Sequence, residues 1–271
     1  MPLVEMITDV GIDKVLMEKG TENMNKILEV KNLYKDYDNV RILDNVSLAV
    51  DKGEFVVVMG QSGCGKSTLL YSISGMESAF KGEVFLDGKE VSKLSEKDIS
   101  RLRLEKMGFI FQKPNLLRNM SIEENISFPG MELKEKDKKQ VKAKAVELMQ
   151  KVGIGKIAKS DIKKVSGGEL QRAAICRALI NNPQIIFADE PTGALNSSTT
   201  TEIMDIFNKI NLENATIMMV THDAKVAARA DRIIYLEDGS VKSQLIIGKY
   251  VKEDKEKREE KVAEWLKTQG F

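Results

Sequence analysis

Residues 60–68, Gly60-Gln61-Ser62-Gly63-Cys64-Gly65-Lys66-Ser67-Thr68, have the types and spacing of a loop that cradles phosphate. Its glycines let backbone N–H groups converge on anionic oxygens with no Cβ in the way. A helix opening at the end of the loop would add the positive end of its dipole. In that arrangement Lys66 reaches the β- and γ-phosphates of a nucleotide, and the Ser67 hydroxyl takes a Mg²⁺ position. The apolar run Phe55–Met59 before the loop and a helix from about Ser67 to Ser74 after it separate this pattern from a chance glycine turn.

The partner chemistry stands at Ile185-Ile186-Phe187-Ala188-Asp189-Glu190, an apolar strand ending in two carboxylates. Asp189 is expected to hold Mg²⁺, directly or through water. Glu190, one residue on, is expected to polarise the attacking water. His222 is the single histidine of the chain. It follows an apolar strand at the edge where open α/β sheets place their ligands, so it is expected to donate to the γ-phosphate region and orient Glu190. Gln112 ends the run Phe109–Gln112 at the same edge and is expected to sense Mg²⁺ and the γ-phosphate. Tyr37 is the candidate for stacking an adenine ring, with Tyr34 a weaker one.

A third run, Val165-Ser166-Gly167-Gly168-Glu169-Leu170-Gln171-Arg172, places Ser166, Gly167 and Gly168 at a helix N-terminus, a second anion site. Serine before glycines is also an ordinary helix cap. As a phosphate-facing surface it cannot reach the chain's own nucleotide. Each motif occurs once, so the pattern predicts a dimer that closes over ATP.

These residues need a scaffold. Alternation over 27–33 and 45–50, with turns at Gly53, Gly82 and Gly88, predicts an antiparallel β layer. A continuous apolar run at 55–59 and strands at 107–111, 185–188, 216–220 and 232–236, alternating with helices, predict a mostly parallel sheet. Ser95 with Asp98 predicts a helix through about Lys106. Residues 113–165 are rich in helix formers and read as an inserted helical subdomain. Residues 1–23 read as an extension, 24–247 as the nucleotide-binding domain, and 248–271 as a charged C-terminal helix. In that helix Val262, Trp265 and Leu266 fall at helical spacing, suited either to rest on the chain's own domain or to meet a partner.

The net charge of +1, with 31% charged residues, gives no basic excess that would argue for nucleic acid. The longest apolar runs are strand-sized, short of the roughly 18–20 residues a membrane span needs. Two cysteines, Cys64 and Cys176, make no disulfide framework and suit a reducing cytosol. Any work at a membrane would go through a partner.

These motifs, in this order over roughly residues 27–247, resemble the ATP-binding subunits of ABC transporters. Phe111-Gln112, Asn115-Leu116-Leu117, Glu124-Asn125-Ile126 and Asp189-Glu190-Pro191-Thr192-Gly193-Ala194-Leu195 look like one branch. That branch serves macrolide export, lipoprotein release, and resistance to bacitracin and antimicrobial peptides. The resemblance implies an α/β P-loop NTPase core and hydrolysis of ATP with Mg²⁺. It implies a head-to-tail dimer in which the phosphate loop of one copy and Ser166–Glu169 of the other enclose each ATP. It also implies a membrane permease, docking around 113–127, a place on the cytoplasmic face of the membrane, and in peptide-sensing systems a sensor kinase reached through that permease. A regulatory or mechanotransmitting ATPase that moves no substrate is the alternative. A soluble ATPase of translation or DNA repair fits less well, since those carry paired cassettes or long inserts. The chain departs from the family pattern at Val165 and Glu169 (usually Leu and Gln), at Asn196 (usually Asp), and at Cys64 (commonly Ser). Cys64 is expected to make the ATPase sensitive to alkylation.

Overall fold

The computed structural model describes residues 25–77, 81–133, 135 and 137–271; the expected extension at 1–23 lies outside them. Two sheets form the frame. Strands β1 (Lys26–Tyr37), β2 (Val40–Asp51), β4 (Lys81–Leu86) and β5 (Lys89–Glu90) make an antiparallel layer in the order β2-β1-β4-β5. The second sheet runs β10-β9-β3-β8-β7-β6. It is built from β3 (Phe55–Met59), β6 (Met107–Phe111), β7 (Ile185–Asp189), β8 (Ile217–Val220), β9 (Arg232–Glu237) and β10 (Ser240–Ile246). All pairings in it are parallel except β9 with β10. This is an α/β fold with a mostly parallel sheet. The edge strand β10, unanticipated above, is a hairpin return through Asp238 and Gly239, both at positive φ.

Alternation within β3 explains why it sits at the centre. Val56 and Val58 point into a core shared with β1, β2 and the helix α1 (Lys66–Ile73). Phe55, Val57 and Met59 point into the opposite core, against α6 (Ser197–Leu212) and α8 (Lys255–Thr268). Side chains of a strand face opposite sides at period two, so a strand apolar on both faces is stable only between two layers. Each of these five side chains is fully buried and contributes about 1.5–3 kcal/mol.

The helical segment comprises α3 (Ile122–Met131), α4 (Lys138–Lys151) and two 3₁₀ turns. Its core does not close at residue 165. Ala173, Cys176 and Ile180, from α5 (Gly167–Leu179) and its C-cap, share one cluster with Ile122, Ile126, Val141 and Met149. The helix carrying the Ser-Gly-Gly run thus joins the helical segment to the sheet, since its Ile175 and Ala178 lie in the second core. The helix α2 (Glu96–Lys106) opens where Ser95 accepts from the Asp98 N–H.

The C-terminal helix begins at Lys255 instead of 248, after a 3₁₀ turn at 252–254. Val262 and Leu266 are buried against the second core, and the Trp265 ring meets Tyr235 edge-on at 6.2 Å. Of the two readings of this segment, its apolar face follows the first and rests on the chain's own domain. Among the described residues no helix is long and apolar enough to cross a membrane.

Candidate functional site

Strand register assembles the site. Phe111 pairs with Asp189, Asp189 with Val220, and Val58 with Val220. The C-terminal ends of β6, β7, β8 and β3 therefore finish level, and the residues just beyond them share one edge: Gln112, Glu190, His222 and Gly60.

The loop after β3 is shaped by glycines that tolerate no substitute. A Cβ on Gly60 (φ +156) would lie 2.1 Å from the Leu236 carbonyl oxygen, and one on Gly65 (φ +100) 2.9 Å from that of Ile42. Gly65 is the N-cap of α1 and supplies no side-chain cap. A helix start without a side-chain cap suits an anion from outside the chain, which is the fit a nucleotide phosphate requires. The Lys66 ammonium meanwhile bonds the Gly60 and Gln61 carbonyls at 2.8 and 2.7 Å.

Tyr37, Ser62, Gly63, Gly65, Lys66, Ser67, Thr68, Glu190 and His222 line one cavity of about 340 Å³. The structure thus brings together the phosphate loop, both water-activating candidates and the proposed adenine platform. The Tyr37 hydroxyl donates to Glu77, and burial together with that bond pushes it up to about 12. Lys35 lies over the same ring, 4.8 Å from its centroid. Tyr34 is instead covered by the Arg41 guanidinium.

Asp189 receives the Ser67 hydroxyl on Oδ1 at 3.0 Å and the Tyr71 hydroxyl on Oδ2. The pairing of Ser67 with Oδ1 puts two oxygens within a span that one Mg²⁺ can bridge. Among the described residues no group of three or more His, Cys, Asp and Glu could cage a metal. Tyr71 carries no motif signal in the sequence; its contact with Asp189 alone places it at the site. Burial, and then Asp189, push its phenol well above the ordinary range.

Glu190 adopts φ +43, a left-handed conformation rare outside glycine and stored at functional sites. Its Oε1 lies 3.0 Å from His222 Nδ1. Gln112 does not line the cavity; it stands across Gly193, where an added Cβ would lie 2.8 Å from its Nε2 and 3.2 Å from Glu190 Oε2. Gln171, another residue without a motif role above, is buried and donates to the Phe111 carbonyl at 3.1 Å. It ties α5 to the strand that ends on Gln112.

Ser166, Gly167, Gly168 and Glu169 do not line the cavity either. They open α5 beside α6, where a Cβ on Gly168 would lie 2.6 Å from Thr199 Cγ2. The helix-cap reading of the serine holds, and the Ser166 and Glu169 N–H groups are engaged. Glu169 folds back in a capping box: its Oε2 accepts the Ser166 N–H at 3.0 Å and the Ser166 hydroxyl at 2.6 Å, while Ser166 Oγ accepts the Glu169 N–H. These bonds hold the Glu169 carboxyl below the usual carboxylate range. Asn196 caps α6 by accepting the Thr199 N–H at 2.9 Å.

Cys64 is half-buried. Its sulfur packs under the loop against the first core, and burial pushes the thiol up despite the nearby Lys66. A raised thiol pKa slows alkylation without preventing it.

Comparison with known proteins agrees with this geometry. A family model described as ABC transporter matches residues 43–193. LolD, the lipoprotein-releasing system ATP-binding protein of Aquifex aeolicus, is 42% identical over 82% of this chain and 99% of its own length. MacB, the macrolide export ATP-binding/permease protein of Mannheimia succiniciproducens, is 41% identical over 79% of this chain, a match spanning 34% of that longer protein. A dimeric ATP-binding cassette solved in a post-hydrolysis state with ADP and Pi has a TM-score of 0.76 at 36% identity, covering 82% of this chain and all of that one. Matched by the family model over more than half its length, the chain belongs to the ABC transporter family, as one of its ATP-hydrolysing ATP-binding cassettes.

Proposed function

We propose that two copies of this chain close head to tail over two ATP molecules, and that closing and reopening drive a membrane permease from the cytoplasmic face. One observation carries the reading. The cavity with Lys66, Glu190 and His222 and the Ser166–Gly168 helix start are separate surfaces of one subunit, so a complete site needs both surfaces from two copies.

In this reading the α1 N–H groups and Lys66 bind the triphosphate and offset charge on the transferring γ-phosphoryl. Tyr37 stacks the adenine. Ser67 and Asp189, with Gln112 beside them, would hold Mg²⁺, which would supply positive charge against the phosphates. Glu190 takes a proton from the attacking water, and His222 orients Glu190 and donates toward the γ-phosphate. Residues 113–127 form the permease-facing surface. Leu117 is 43% exposed there, and Arg177 holds the Pro114 and Asn115 carbonyls at 2.8 and 2.7 Å.

The MacB relatives, named for macrolide export, support export of an antibiotic; resistance to antimicrobial peptides, with a sensor kinase reached through the permease, rests on the motif resemblance alone. The LolD relative supports the second reading, a lipoprotein-release or mechanotransmitting ATPase without net small-molecule transport. The test is the dimer. Glu190→Gln should bind ATP and run as a dimer in size-exclusion chromatography, and Gly168→Arg in the same chain should return it to monomer. A Glu190→Gln chain that stays monomeric at saturating ATP would sink the reading. Capture of the permease with this chain, then ATPase assays with a macrolide, an antimicrobial peptide or a lipoprotein, separates the two roles.

A further inference from the structure

We propose that Tyr71 is a positioning residue for the metal-binding carboxylate, its hydroxyl fixing Asp189 so that Oδ1 faces Ser67 and its ring joining that carboxylate to the strand that ends on Gln112. The proposal rests on the reading of Ser67 and Asp189 as the Mg²⁺ oxygens.

Helix geometry is the first support. Ser67 and Tyr71 are four residues apart on α1, so they share one face of the helix. That face meets the end of β7, and each residue takes a different oxygen of the same carboxylate: Ser67 Oγ on Oδ1 at 3.0 Å, Tyr71 Oη on Oδ2. Without the second bond an aspartate on a strand end can turn about its last torsion and exchange its oxygens. With it, Oδ2 is engaged and Oδ1 is the oxygen left to share with Ser67.

The ring supplies the second support. Its centroid lies 6.4 Å from that of Phe111 at a 50° tilt. Phe111 stacks on Phe109 at 6.3 Å, and Phe109 on Phe187 at 5.7 Å. Phe111 is also the backbone partner of Asp189 in the β6–β7 ladder and the residue before Gln112. The phenol therefore packs against the residue that joins the carboxylate to the glutamine. A shift of Asp189 on metal binding is passed to Phe111 through a packed ring as well as through the ladder.

The test removes the hydroxyl and keeps the ring. Binding of a fluorescent N-methylanthraniloyl ATP to the full chain is measured in EDTA and across a Mg²⁺ titration, for the wild type, Tyr71→Phe, Tyr71→Leu and Asp189→Asn. Thermal denaturation is recorded in parallel. A hydrogen bond to a charged oxygen is worth roughly tenfold in an equilibrium constant. Tyr71→Phe should accordingly raise the half-saturating Mg²⁺ concentration about tenfold while leaving affinity in EDTA and the melting temperature near wild type. Tyr71→Leu should raise it at least as much. A merely structural tyrosine would lower the melting temperature and the EDTA affinity together, and that result overturns the proposal. So does an unchanged Mg²⁺ midpoint, or a lower one, which would mean that the hydroxyl competes with the metal. If Asp189→Asn itself leaves Mg²⁺ dependence intact, the metal reading of Asp189 falls and the proposal with it. If Asp189→Asn abolishes the dependence and Tyr71→Phe does not alter it, the proposal alone falls.

Discussion

His222 Nδ1 lies 3.0 Å from Glu190 Oε1, and the two reach each other because Glu190 turns left-handed directly after β7. A non-glycine residue in that conformation costs about 1–3 kcal/mol. The Glu190 N–H still bonds the Val220 carbonyl at 3.0 Å, so the turn moves the side chain without breaking the ladder to β8. The strain is spent on aim.

Glu190→Gln should therefore keep ATP binding and lower turnover by roughly 10²–10⁴-fold, the range of a lost general base. His222→Ala should lower it too, with Glu190 in place but unguided. Phosphate release under saturating ATP, with nucleotide affinity measured separately, is the check. Near-normal turnover in the glutamine variant would remove Glu190 from the role of base.

Gly193 separates Gln112 from Glu190. Gly193→Ala would place a Cβ 2.8 Å from one side chain and 3.2 Å from the other. Both are flexible ends, so the fold should hold while the two groups are displaced. Turnover should fall about ten- to a hundredfold, since displacements near 1 Å carry such losses. Unaltered turnover at unaltered stability would show that the gap is not needed.

The sheltered Cys64 thiol makes a pH prediction. A raised thiol pKa leaves a smaller thiolate fraction at pH 7 than the few per cent of an ordinary cysteine. Maleimide should label the native chain more slowly than a free thiol. The rate should climb as pH rises through and beyond the ordinary thiol pKa, and unfolding should remove the difference. Cys176 is buried, with its thiol pushed up to about 12, and should stay silent in the native chain. Rapid labelling of the folded chain at pH 7 would contradict the geometry.

Arg258 fastens the C-terminal helix. Its guanidinium donates to the carbonyls of Ala228, Ala230, Ile247, Gly248 and Lys249 at 2.5–3.2 Å. Arg258→Met keeps much of the apolar stem and strands those buried acceptors, at about 3 kcal/mol. Urea denaturation should show the loss. A variant as stable as the wild type would mean that the helix docks through Val262 and Leu266 alone.

Where chemistry and local structure coincide, the chain was legible from its residues. Glycines at 60, 63 and 65 beside Lys66 and Ser67, and carboxylates closing an apolar strand at 189 and 190, carry their meaning within a few positions. Ser166-x-x-Glu169 also spells a capping box within four positions. Other features depended on distant segments meeting. The level ends of β6, β7, β8 and β3 come from parallel register across more than 100 residues. The inward turn of Cys64, the left-handed φ of Glu190, and the reach of Tyr71 to Asp189 depend on packing that no short window encodes. Sequence alone determined which groups could bind and cleave a phosphate, because residue type and short spacing set that chemistry. Tertiary structure decided which groups face one another, because hydrogen-bond partners and burial are properties of the packed sheet and not of the string.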